Sequence, residues 1–590
     1  MLNTQSVIQR FLIATMIITA LGWQCIGAWQ DSQTTDEAVH LTTGRAYWQN
    51  GAFFLNPEHP SLFKLWAAAP LTLLQHGQVD TDTRYWQERN QWTIGASYLY
   101  LGTAQEQYGG RVLMFIGRIP MILIWLGLMI TIASIAWKYW GSWPAVAATA
   151  AAVFDPNLLG HGHLVTNDVA TAFAYLGTVM LTARFARRPS WNRLLLLAAV
   201  FGVAQLTKYS MVFLWAVVPA TLFFFRWQYP LQLPRRWIRR SILLLIVATG
   251  LTAWLAYGGN ALRPLQDTRI HELIAERADL IQRDALSTVP AYTQFFVRLT
   301  RPGSITGYFA KALENVPIPG YWYFRGLFSA ASHNAYGHGA YLLGHLSETG
   351  WWYYFPVALA VKTPLLTLGA VIAMCILWLR KFVRTIKRYH TWKTTLNERW
   401  WLFGAIPLIY LLWSMTSHLN IGMRHVFPTY VFFPFAIAAC ISLVERPYRR
   451  FFPGLTLGIS LSIFLVTLAA WPNTIGYFNA IAGGTDGGHR FVLDSNMDWN
   501  QDIWRVREYL DAQHYPEVHA VLFGSIPLDR IFPEALAVPE NDAIARGERP
   551  SGIVIISAGQ KFRVEGPFSW LNSYQPMHRI GSSIYVYDFR

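Results

Sequence analysis

Long apolar runs, short basic turns and three long mixed segments alternate along this chain. A hydrocarbon core of roughly 30 Å is crossed by about 20 apolar residues of helix. Runs of that kind lie near residues 11–29, 112–137, 241–257, 353–379, 400–417, 426–444 and 454–471. Less separable ones lie near 143–155, 168–183, 194–207 and 209–225. The pattern predicts about eleven membrane-spanning helices. The first run, Phe11 to Trp29, follows Arg10, approaches bilayer length and lacks a small-x-small cleavage site, so it reads as a retained helix rather than a signal peptide.

The three mixed segments, 30–110, 258–350 and 472–590, are too rich in apolar and aromatic residues to be linkers. The first holds a helical-looking stretch from Asp82 to Leu101, and the second a predicted surface helix over 267–285. After Pro472 the character changes: a helical pattern near 498–512 precedes apolar runs at 518–524, 552–557 and 583–589. That order predicts a small α/β domain over 472–590, attached to a transmembrane module over 1–471 whose external loops are 30–110 and 258–350. No internal repeat is evident.

Composition narrows the class. The chain is 53% hydrophobic and 14% charged, against about 25% charged in soluble domains, and its 27 tryptophans suit two membrane–water interfaces. The net charge of +15 falls in short clusters between apolar runs: Arg184, Arg187, Arg188 and Arg193; Arg226, Arg235, Arg236, Arg239 and Arg240; Lys381, Arg384, Lys387, Arg388 and Lys393; Arg446, Arg449 and Arg450. Such clusters are topology signals, not a nucleic-acid stripe. With eleven spans they share the side of Arg10, which places the N-terminus in the cytoplasm and the mixed segments, with the C-terminus, outside it. Cys25, Cys375 and Cys440 are isolated in apolar stretches and have neither disulfide nor zinc spacing.

The candidate chemistry gathers on that external side. Asp36 and Glu37 follow the first helix closely. A carboxylate beside hydrocarbon is costly, and one placed there suits a general base, although a solvated helix end has the same pattern. Asp155, His161, His163 and Asp168 lie in the turn FDPNLLGHGHLVTND, which reads as a metal site, a phosphate-facing pair of histidines or a plain polar turn. Lys208, Arg424 and His425 are external cations that break the positive-inside pattern; a lipid phosphate at the interface is one partner for them, and snorkelling accounts equally for the lysine. The aromatic-rich third loop, with His333, His338 and Trp351 to Tyr354, is an interfacial belt or a stacking surface. In the tail, DSNMDWNQD offers Asp498 and Trp499 as a carbohydrate surface, with Asp498 and Asp502 on one helical face; an acidic helix N-terminus gives the same pattern.

Taken in order, the Asp36-Glu37 pair, HLVTND, GWWYYFPVALAVKTP, NIGMRHVFP and DSNMDWNQD resemble the bacterial branch of the dolichyl-phosphate-mannose protein mannosyltransferase family, glycosyltransferase family 39. The resemblance covers about residues 30–510; Asn500 stands where glycine is more usual in that family. It implies a polytopic α-helical GT-C-like fold and an inverting transfer of a sugar from a polyprenyl-phosphate donor to a protein, lipid or cell-envelope glycan acceptor. Asp36 would then be the base with Glu37 its alternate, and Asp168 would orient the acceptor or hold the donor sugar. Lys208, Arg424 and His163 would neutralise the departing phosphate, with His161, His425, Asp498 and Trp499 completing the substrate surface. No cofactor is required by this reading, and a divalent cation is compatible with it. The implied setting is a lipid bilayer, the bacterial inner membrane. A transporter or flippase of a polyprenyl-linked glycan would share the helices and the interfacial cations.

Overall fold

The computed structural model describes residues 4–258, 320–386 and 396–590, apart from Glu445, Pro516, residues 525–527 and Glu565. The expected helix over 267–285, like Lys387, Arg388 and Lys393, lies outside the described residues.

The chain is a polytopic α-helical membrane protein. Among the described residues eight helices are long and apolar enough to cross a membrane, including Thr4–Gln30, Gly110–Trp140, Asp168–Arg187, Arg235–Tyr257 and Phe452–Ala470. Ser142–Val153 and Trp191–Gln205 are shorter apolar helices at two of the less separable runs. The run near 353–379 is divided into Tyr354–Lys362 and Leu365–Ile386. Pro364 divides it, because proline biases the residue before it away from helix, and Thr363 is extended.

The basic turns gather at one end of the bundle. Arg10 lies 5.6 Å from the Trp137 ring, Arg187 donates to Glu398 at 2.8 Å and also bonds Tyr139, and Arg240 covers Trp191. At the opposite end the first mixed segment folds into Thr35–Asn50 and the unforeseen Leu62–Leu73. These two helices touch at Gly44, where a Cβ would come within 2.1 Å of the Lys64 carbonyl oxygen, so only glycine permits the approach. The stretch from Asp82 to Leu101 is not one helix but Arg84–Gln87, Gln91–Ala96 and Ser97–Leu101. It breaks at Arg89, whose φ is +55°, and at Asn90, whose side chain caps the second piece.

The tail carries a four-stranded sheet. With β1 (Ala340–Leu342) and β2 (His345–Ser347) forming a hairpin in the third loop, the tail strands are β3 (Val518–Val521), β4 (Ile553–Ser557), β5 (His578–Ile580) and β6 (Ile584–Asp588). Their order is β3-β4-β6-β5, with β3 and β4 parallel and the other pairs antiparallel. Every residue of β4 is buried, as its unbroken apolar run requires of a central strand. Helix Ile503–Gln513 precedes the sheet.

Residues 472–505 are woven into the membrane-spanning part. Lys362 donates to the carbonyls of Ile475 (2.7 Å) and Asn496 (2.6 Å), and the Asn479 amide to that of Val361 (2.9 Å). Residues 32–35 form a seam with 499–503: Ser32 N–H donates to Gln501 O (3.0 Å), Thr35 N–H to Trp499 O (3.1 Å) and Ile503 N–H to Ser32 Oγ (2.9 Å). Arg505 closes the seam, bridging Asp31 and Asp502 at 2.5 Å each.

Candidate functional site

The first carboxylates sit where a helix starts. Thr34-Thr35-Asp36-Glu37 is a capping sequence, and the Glu37 side chain reaches back to accept from the Thr34 amide at 2.9 Å. That return turns Glu37 inward. Arg118, from the Gly110–Trp140 helix, grips it with two bonds of 2.9 and 2.6 Å, and the Val165 amide donates at 2.7 Å. Both side chains are 0% exposed. Burial alone would push the Glu37 carboxyl up; Arg118 and the two amides outweigh it and hold the group below its ordinary range. Asp36, one position earlier, points elsewhere: it is 21% exposed and its Oδ2 lies 3.3 Å from the Arg424 guanidinium.

Arg424 is the hub. Its Nη1 also lies 3.4 Å from Asp168 Oδ2, its Nε donates to Ser495 Oγ at 3.1 Å, and its guanidinium carbon lies 4.1 Å from the Trp499 ring centroid. Asp168, fully buried, receives Lys208 Nζ on its other oxygen at 2.7 Å. The structure therefore brings together Asp36, Asp168, Lys208, Arg424 and Trp499 from five separate segments, at the end opposite the basic turns. Trp499 supplies a face for the guanidinium, a contact strengthened by desolvation.

The histidines divide. His161 is buried against Phe427 and Trp499, with ring centroids 5.1 and 6.0 Å away. Its Nδ1 donates to Asn157 O at 3.0 Å, which leaves the Nε2 lone pair without a partner among the described residues. Burial pushes it down to about 4, so it is neutral near pH 7. His163 is committed elsewhere: Nδ1 meets Gln24 Oε1 at 3.0 Å and Nε2 lies 3.2 Å from Asp31. His425 adjoins Arg424 within electrostatic range of Lys208, Asp168 and His333.

Asp498 and its neighbour part company. Asp498 turns into the tail, where its Oδ2 accepts from the Gly559 amide at 2.8 Å, and burial raises it to about 6. The two aspartates share no helical face, because the helix begins at Ile503; Asn500 has φ +76°, a left-handed turn that asparagine tolerates and glycine favours. The departure from the usual glycine at this position thus keeps the conformation.

Sequence reasoning did not single out Arg118, Lys362, Ser495, Asn167 or His59. An arginine inside the apolar run 112–137 was the available signal for Arg118. Asn167 donates to His59 Nδ1 at 3.2 Å beside Asp168, and no spacing rule relates those positions. Among the described residues no three His, Cys, Asp or Glu side chains converge as a metal-ligand set.

Comparison with known proteins gives a match to one family model over part of the chain. No curated protein matches the chain. Among solved structures, ArnT from Cupriavidus metallidurans bound to undecaprenyl phosphate aligns over 97% of each chain at 10% identity with a TM-score of 0.42. The same protein in the apo state aligns over 97% of each chain at 11% identity with a TM-score of 0.43. Residues 110–257, which carry Asp155, His161, His163, Asp168 and Lys208, match the model of the dolichyl-phosphate-mannose-protein mannosyltransferase family, the family that the motifs resemble.

Proposed function

We infer that this chain is an inverting glycosyltransferase that moves a sugar from a polyprenyl-phosphate donor to a protein, lipid or envelope-glycan acceptor. The observation that carries the reading is Arg424, stacked on Trp499 and held between Asp36 and the Asp168–Lys208 pair. In the proposed step Asp36 takes the proton of the acceptor hydroxyl as its oxygen attacks the anomeric carbon. The bond from that carbon to the phosphate oxygen breaks, and its electron pair leaves with the polyprenyl phosphate. Lys208 and Arg424 face the charge that develops there, and Asp168 fixes both cations in place. Glu37, saturated by four donors, positions the Asp36 turn instead of sharing its chemistry. His161 is a neutral acceptor at the edge of the site, beside the ring that Arg424 covers. The same reading places Asp36 and Arg424 on the extracytoplasmic side of a bacterial inner membrane, because the basic turns occupy the other end. It invokes no cofactor, and a hexosyl or mannosyl donor is the first to try.

The test is transfer of radiolabelled sugar from a panel of polyprenyl-phosphate donors by the purified protein, with Asp36→Asn alongside. Turnover that the variant loses is the expected result. No turnover by folded wild type with any donor would overturn the reading, and movement of a lipid-linked glycan across vesicles would then favour a flippase.

A further inference from the structure

The turn that begins the tail motif is docked on the Arg424 loop. Ser495 Oγ donates to Ile421 O at 2.5 Å while accepting from Arg424, Asn496 Oδ1 accepts from the Met423 amide at 3.0 Å, and Asn496 Nδ2 donates to the Tyr354 hydroxyl at 3.0 Å. These bonds leave the preceding residue, Asp494, little freedom, and they hold it at φ +58°. Such a conformation costs a non-glycine residue about 1 kcal/mol, and surrounding structure must impose it.

The Asp494 side chain is half-buried and half-used. One oxygen accepts from the adjacent Ser495 amide at 2.5 Å; among the described residues the other has no partner. Arg424, Asp36 and His338 lie within electrostatic range, yet Arg424 makes ion pairs with Asp36 and Asp168 and none with Asp494. The carboxylate thus lies within electrostatic range of the guanidinium but beyond ion-pair distance. Burial pushes it above its ordinary range, so a free oxygen there is unfavourable until hydroxyl or amide donors reach it.

We propose that Asp494 is a specificity-determining residue, its free carboxylate oxygen accepting hydrogen bonds from hydroxyl groups of the transferred sugar. The proposal rests on the transferase reading above and adds a sugar contact to it. A phosphate held at Arg424 puts the attached sugar within a few ångströms of that guanidinium, and a carboxylate oxygen nearby suits its hydroxyls, not the phosphate, with which it would clash in charge. A role confined to the backbone is the alternative, and asparagine separates the two, since it tolerates the left-handed turn and keeps an oxygen for the Ser495 amide.

Asp494→Asn and Asp494→Gly in the full chain are therefore compared with wild type for donor KM, acceptor KM and inhibition by polyprenyl phosphate without sugar. Donor KM should rise about 10- to 100-fold, the loss of one hydrogen bond to a charged acceptor, while inhibition by the sugar-free lipid stays within twofold. An unchanged donor KM overturns the proposal, as does a rise confined to the acceptor or a parallel loss of inhibition, which would mean that Asp494 only supports Arg424. Asp494→Gly relieves the backbone, so a defect common to both variants is not a folding defect. If wild type transfers nothing from any donor, the parent reading fails first and the proposal with it.

Discussion

Replacing Glu37 by glutamine tests whether the two adjacent carboxylates are as different as they look. The substitution keeps the shape but removes the charge, leaving the fully buried Arg118 with neutral acceptors alone, the carbonyls of Ala28, Asp31 and Ser32 and the one amide oxygen that glutamine retains. A buried charge stripped of its partner costs about 3–5 kcal/mol, a large share of the roughly 5–15 kcal/mol that keeps a domain folded. Glu37→Gln should therefore lower the thermal midpoint sharply, while Asp36→Asn, partly exposed, changes it little and removes turnover. Replacing both partners, Glu37→Leu with Arg118→Met, should restore part of the lost stability, because it removes the unpaired charge although the Thr34 and Val165 amides and the carbonyls of Ala28, Asp31 and Ser32 lose those partners. The pH dependence has a definite sign. Burial raises the Glu37 carboxyl and Arg118 more than reverses this, so the folded value is depressed. The stability it contributes is present above the ordinary glutamate range near pH 4.5 and is lost as pH falls through the lower folded value. The wild-type acid flank should thus be steeper than that of the double variant. Tryptophan fluorescence of the detergent-solubilised protein reads the midpoints, and sugar transfer reads the chemistry. A Glu37→Gln protein with an unchanged midpoint and no turnover would refute the division of labour.

Other substitutions probe the rest of the site. Asp498→Asn should retain transfer and gain up to about 2–3 kcal/mol near pH 7, since a carboxyl raised to about 6 loses stability as pH climbs from about 4 to 6; a loss of turnover with stability intact would return Asp498 to the substrate surface. Arg424→Lys should cost at least about 30-fold in kcat/KM, because lysine cannot span Asp36, Asp168 and Ser495 while stacking on Trp499; near-normal kinetics would remove Arg424 from the centre of the scheme. Asn500→Ala should cost about 1–2 kcal/mol against Asn500→Gly, measured by thermal unfolding, and equal midpoints would show that the turn relaxes.

The spans were legible because an apolar run of bilayer length has few other outcomes. Strands β3, β4 and β6 were legible from their apolar runs, whereas β5, reading His-Arg-Ile, carries no such signal and is placed by its antiparallel neighbour. Pro364 was visible in the sequence, and its power to split a helix was under-weighted. Asp36, Asp168, Lys208, Arg424 and Trp499 were picked from charge on the external side and from the motifs, and they meet. Their neighbours turn to other partners. The capping spacing from Thr34 to Glu37 is the one local mark that separates Glu37 from Asp36, and Arg118, 81 positions away, completes the choice. Asp498 and Trp499 point to different partners because of the left-handed Asn500, which a helical reading of DSNMDWNQD cannot anticipate. His163 looked like a phosphate ligand and is paired with Asp31.

The seam between residues 32–35 and 499–503 sets a timetable for biosynthesis. Ser32 and Ile503 are 471 positions apart, so the first loop waits through synthesis of every span before its hydrogen-bonding partners exist. Until then the Asp36 turn is held by Glu37 and Arg118 without the bonds of the seam, and Trp499 is not there to bear the guanidinium. A growing chain can insert all its helices and still lack a working centre. The site is complete only when residues 499–505 have emerged and docked, so a chain stopped before them is a membrane protein whose Asp36 and Arg424 lack the Trp499 face and the seam.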